Sequence, residues 1–116
     1  MILGIQATKS FSDYSVFLRA MRVALSDMSD NDKAIVIFSA GPVNLNSMGM
    51  EFTNISENSL KARGISIKFI KVSPKMLEGK LSELDYFAFF SEPKEPVSSL
   101  VRQAEDKDLE VGIFRY

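Results

Sequence analysis

"ISIKFIKV", residues 65–72, decides the fold. It is one of five segments rich in aliphatic and aromatic residues that read as strands, with Ile2 to Ala7, Ala34 to Ser39, Leu84 to Phe90 and Glu110 to Arg115. The first, second and fourth segments are nearly continuous apolar runs, the pattern of strands covered on both faces in a parallel sheet. Segment 65–72 departs from that pattern because Lys68 and Lys71 interrupt it. Such lysines belong on an edge strand, where their charges reach water and discourage further pairing.

Stretches with helical spacing separate the strands. Residues Asp13 to Met28 predict a helix capped by Ser12 or Ser10, with Tyr14, Phe17, Leu18, Met21, Ala24, Leu25 and Met28 on one core stripe. Val16, Ala20 and Val23 form a second apolar line beside it, which predicts a homo-oligomer built through that helix surface. A second helix is expected from Ser47 to Arg63, with Met48, Phe52, Ile55 and Ala62 on one side and Gly64 as its stop. Ser73-Pro74 reads as cap and first position of a short third helix, and Pro96 opens a fourth that carries Val97, Leu100, Val101 and Ala104.

The order β-α-β-α-β-α-β-α-β, joined by right-handed crossovers, predicts an α/β fold: a single Rossmann-like three-layer domain over residues 1–116. Two strand orders compete. Order 2-1-3-4-5 would bury Lys68 and Lys71 inside the sheet, whereas 3-2-1-4-5 puts them at an edge and buries the first strand. The lysines therefore select a five-stranded, mainly parallel sheet in the order 3-2-1-4-5 with helices on both faces.

Composition narrows the chemistry. The chain has 116 residues, enough for one core, and 14 basic against 15 acidic residues leave a formal charge of −1. No global field draws it to nucleic acid or to an anionic membrane, and neither is expected as a partner. With no cysteine and no histidine, disulfides, thiolate nucleophiles, ordinary zinc sites and histidine bases are excluded. No metal, cofactor or catalytic residue is expected. The start, MILGIQATKS, lacks the basic region of a secretory leader and no apolar run reaches membrane-spanning length, so the expected compartment is cytoplasmic.

In a sheet of order 3-2-1-4-5, ligands bind outside the carboxyl ends of strands one and four, where the order reverses. The walls of that crevice would be Ala7 to Tyr14 and Ser91 to Ser99, with the loop "SAGPVNLNSMG", Ser39 to Gly49, as neighbour on the same rim. Thr8, Lys9 and Ser10 offer a positive charge and two hydroxyls near a helix N-terminus, a setting that favours an anion. Phe11 is a candidate for stacking on a base, with Tyr14 as an alternative. Met48 and Met50 are candidates for lining a base pocket. From the second loop come Ser39, Ala40, Gly41 and Asn44, and from the loop after strand four Ser91, Glu92, Lys94 and Ser98. Neither GxGxxG nor GxxxxGK[ST] is present, so the chain has no dinucleotide fingerprint and no Walker loop.

An apolar strand followed by "TKSFSDYSVFLRAM", a second strand ending in "SAGPVN", and "LDYFAFFSEPKEPVSSLVRQAEDKDLEVGIF" at the end together resemble the SLOG superfamily in its YspA/YpsA-like branch. The resemblance runs through nearly the whole chain in order and spacing. It implies a Rossmann-like domain that binds a nucleotide or nucleotide-derived ligand, with Thr8, Lys9 and Ser10 in the first turn, Ser39, Ala40 and Gly41 in the second, and Asp85 as the strand aspartate. The glycine-rich segment of the family's phosphoribohydrolases is replaced here by Ser91 to Ser99, which has no glycine pair.

Two readings stay open at this point. One is a non-catalytic binder of a nucleotide-derived ligand with a sensor or sequestering role, and the other is an oligomeric interaction or accessory protein, of bacterial or phage type, that kept the fold and lost the pocket. Cleavage of a nucleoside-phosphate N-glycosidic bond, with Glu51, Glu92 or Glu95 as the acid or base, ranks behind both.

Overall fold

A computed structural model describes residues 1–116. Five parallel strands, β1 (Ile2–Ala7), β2 (Ala34–Ser39), β3 (Ser66–Lys71), β4 (Tyr86–Ser91) and β5 (Val111–Arg115), lie in the order β3-β2-β1-β4-β5. Four helices connect them: α1 (Tyr14–Leu25), α2 (Val43–Ala62), α3 (Pro74–Lys80), which runs into a 3-10 turn at Leu81–Glu83, and α4 (Ser99–Asp106). The architecture is the expected one, and Lys68 and Lys71 are exposed on an edge strand.

Alternation along the strands sorts the core into two layers. Leu3, Ile5, Ile35, Ile37, Ala88 and Phe90 face α1 and α2, where they meet Phe17, Ala20, Met21 and Leu45. Phe87 and Phe89 face the other way, against Leu77, Leu81, Leu100, Val101 and Ala104 of α3, the 3-10 turn and α4. Gly4 lies on this second face, where an added Cβ would sit 2.6 Å from Leu84 Cδ1. β4 is buried at every position, as its apolar run requires. No helix is long and apolar enough to cross a membrane.

Helix boundaries differ from the expected ones for local reasons. The cap of α1 is Asp13 rather than Ser12 or Ser10, because its carboxylate accepts the N–H groups of Ser15 at 3.1 Å and Val16 at 3.2 Å. α2 begins at Val43, four residues before the expected Ser47, since Pro42 sets the backbone ahead of the first turn and its carbonyl accepts the Asn46 N–H at 3.0 Å. Glu51 therefore lies in the body of α2, not in its first turn. α4 begins at Ser99, not Pro96, where Ser98 takes the Leu100 N–H at 3.1 Å. Of the second apolar line on α1, Ala20 is fully buried and Val16 packs partly on the core, which leaves Val23 as its exposed member.

Candidate ligand-binding site

Residues at the carboxyl ends of β1 and β4 enclose a cleft of about 430 Å³ at the point where the strand order reverses. Gln6, Ala7, Thr8, Lys9 and Ser10 form one wall. Phe89, Glu92, Glu95, Pro96 and Ser98 form the other. The two walls are held in register by β1–β4 pairing, which sets Gln6 beside Phe89 and Ala7 beside Phe90, and by the Thr8 N–H donating to the Phe90 carbonyl at 2.9 Å.

The rim is cross-linked by hydroxyls. Ser10 Oγ donates to a carboxylate oxygen of Glu92 and lies 2.9 Å from the Tyr116 hydroxyl, which also meets Thr8 Oγ1. Behind it, Arg115 donates to Ser91 Oγ at 2.9 Å and to the Glu92 carbonyl at 3.3 Å, tying the end of β5 to the same loop. Tyr116 and Arg115 are contributors that sequence reasoning missed, because their role depends on where β5 ends and not on any local motif. Gln6 was also missed, although it is the one residue with a polar side chain in the run ILGIQA. Its Oε1 is buried without a hydrogen-bond partner, which is costly unless something supplies a donor.

Five of the residues expected at the site meet in the cleft: Thr8, Lys9, Ser10, Glu92 and Ser98. The others lie elsewhere. Phe11 is completely buried, stacked on Phe90 at 4.5 Å and tilted against Tyr116 at 4.9 Å, so its ring is core and not a surface on which a base could stack. Tyr14 stacks on Phe17 at 5.8 Å. Burial pushes the Tyr14 phenol above its ordinary range, helped by the charge of Glu51.

Ser39 is fully buried and spends its hydroxyl on Asn46 Oδ1 at 2.6 Å and on the Gly41 N–H at 3.3 Å. Ala40 packs on the α3/α4 layer, and the Gly41 carbonyl accepts the Ala7 N–H at 3.1 Å. Asn44 is exposed in the first turn of α2, outside the cleft. Ser91 is buried behind the rim and Lys94 is exposed beyond it. Met48 is core, and Met50 is exposed on a different face. Asp85 accepts the Ile2 N–H at 2.7 Å at the amino end of β4, the opposite end of the sheet from the cleft.

Electrostatics limit what the cleft can hold. Lys9 supplies one positive charge, Glu92 and Glu95 supply two negative ones, and α4, whose cap Ser98 is uncharged, contributes the positive end of its dipole. The N-terminus of α1 is already occupied by its own carboxylate. Ser15 and Val16 bonds to that carboxylate hold Asp13 below the usual range, so a second anion there would meet a negative charge. Acceptors thus outnumber cationic donors, an arrangement suited to hydroxyl and amino groups together with a single anionic group near Lys9. Comparison with known protein families, with curated proteins and with solved structures finds no match to this chain.

Proposed function

We propose that this chain binds a nucleotide-derived small molecule in the β1/β4 cleft and acts as a sensor or sequestering protein, not as a catalyst. The observation that carries this reading is the cleft itself: a polar concavity of ligand size at the switch point of the sheet, where α/β domains of this order bind ligands. Carboxylates at the rim suit the paired hydroxyls of a ribosyl group, and Lys9 with the N-terminus of α4 suits one phosphate. A polyphosphate fits less well, given Glu92 and Glu95. The resemblance of Thr8, Lys9 and Ser10 to the first turn of SLOG domains supports the same reading.

A thermal-shift panel of nucleotides, cyclic dinucleotides and ADP-ribose derivatives tests the proposal, because a ligand of the native state raises the melting temperature by mass action. At a concentration 100 times Kd the stabilisation is about 2.7 kcal/mol. A ribosyl monophosphate compound should rank above polyphosphates. Lys9→Ala should weaken the best ligand by about 1.5–3 kcal/mol, the range for hydrogen bonds to charged groups. A flat panel at millimolar concentration rejects the reading, and full affinity in Lys9→Ala moves the site away from this cleft.

A further inference from the structure

The edge strand that selected the fold also leaves a surface the cleft does not use. Ser66 donates its N–H to the Lys33 carbonyl at 3.0 Å and Val72 donates to Ser39 at 2.8 Å, so alternation turns the N–H and C=O groups of Ile67, Phe69 and Lys71 away from the sheet. Pairing with β2 is continuous from Ala34–Ser66 to Ser39–Lys71, without bulge or proline, so the outer edge is regular along its length. Beside it runs a groove of about 360 Å³, lined by Met50, Thr53 and Asn54 of α2 and by β3 itself. Met50 is 47% and Ile70 39% exposed.

We propose that this edge and groove receive an extended, acidic and apolar segment of a partner protein, which adds to the sheet as a further strand. The choice of occupant follows from charge. Lys68 and Lys71 are exposed, and neither has a carboxylate partner, because the ion pairs of this molecule are both made by its N-terminal ammonium. The strand SIKFIK contains no acidic residue. A second copy pairing edge to edge would place two lysines from each chain on one short ribbon with nothing to neutralise them, the arrangement that keeps natural edges apart. A strand bearing carboxylates removes that penalty and gains main-chain hydrogen bonds.

Lys68 and Ile70 share one face of β3 while Phe69 and Lys71 share the other. Each face of the incoming strand therefore presents one acidic and one apolar residue, with an apolar side chain entering the groove beside Met50. A capped Glu-Glu-Val-Val repeat peptide reproduces this pattern on both faces, and a Lys-Lys-Val-Val repeat is its control. Binding to the full chain is read by calorimetry, and the location by amide hydrogen exchange.

The expected result is binding of the acidic peptide alone, new protection at the amides of Ile67, Phe69 and Lys71, and a loss of about tenfold or more in the Lys68→Glu, Lys71→Glu double variant. Both lysines are exposed, and circular dichroism verifies that the variant is folded. The proposal is overturned by absence of binding, by equal binding of the basic peptide, by full affinity in the charge-reversed variant, or by protection outside β3. Sedimentation that reveals a dimer protecting those same amides assigns the edge to a second copy and likewise overturns it.

Discussion

The loops after β1 and β2 lie on the same rim, each follows an apolar strand and each leads into a helix of the same layer, yet one borders the cleft and the other does not. After β1, six residues pass before α1 starts, and the helix is capped by Asp13 at the far end of that loop. Thr8, Lys9 and Ser10 are left standing at the cleft. After β2, only three residues precede α2, and the polar groups of Ser39, Gly41 and Asn46 bond to one another or to β1. The hydroxyls of the first loop bond across the rim to Tyr116 and Glu92 and so line the cleft, whereas the polar groups of the second are consumed within the fold.

The largest test of this contrast lies beneath the first loop. Phe11 anchors it by burying a whole ring against Phe90 and Tyr116. Phe11→Ala should cost about 3–5 kcal/mol of stability in denaturant titration, the range for an aromatic side chain deleted from a packed core. A cost under about 1 kcal/mol would mean that the loop is not pinned, and the contrast with the second loop would fail.

Ser39→Ala probes the second loop. It removes the partner of a buried Gly41 N–H and of Asn46 Oδ1, so a loss of about 1–3 kcal/mol is expected, the cost of leaving a buried polar group unsatisfied. Ligand affinity in the thermal-shift panel should be unchanged. A variant that keeps its stability but loses ligand would return Ser39 to the site and reverse the comparison.

How much of this was legible in the sequence follows from the range over which each feature is determined. Lys68 and Lys71 revealed the strand order because sheet burial is written in side-chain polarity, residue by residue. Thr8, Lys9 and Ser10 were legible for a similar reason: the topology alone carries the end of β1 to the switch point. Phe11 was not, since a ring in a polar loop gives no sign of the direction in which it points; here Phe90 and Tyr116, far away in sequence, receive it. Asn44 was not legible either, because α2 starts directly after Pro42 and draws Asn44 out of the second loop into its first turn. Gln6 carried a signal in its isolation among apolar neighbours, but that its oxygen ends buried without a partner is decided by tertiary packing and not by the run ILGIQA.

Tyr116→Phe gives a smaller effect and sharpens what holds the first loop. The ring stays against Phe11 while the hydroxyl that bridges Thr8 and Ser10 is lost. About 0.5–1.5 kcal/mol of stability should go with it. Faster exchange of the amides around Ser10, measured by hydrogen exchange, should accompany that loss; unchanged exchange would mean that the Ser10–Glu92 bond holds Ser10 without help from the Tyr116 hydroxyl.

The smallest effect is expected at Asp13, and its sign is set by pH. The Ser15 side chain and the backbone N–H of Val16 stabilise the ionised carboxylate, so its folded-state pKa lies below the ordinary value of 3.8. A group depressed in this way contributes its full stabilisation above the unfolded-state pKa and loses it as the pH falls through the folded-state value. Asp13→Ala should therefore melt below the parent chain at neutral pH, and the two melting curves should converge in acid below about pH 4. Because that carboxylate already fills the N-terminus of α1, removing it should also let an anion approach there. If phosphate then stabilises Asp13→Ala more than the parent chain, the cap is what confines ligand binding to the α4 side of the cleft; equal stabilisation would show that α1 was never a competing site.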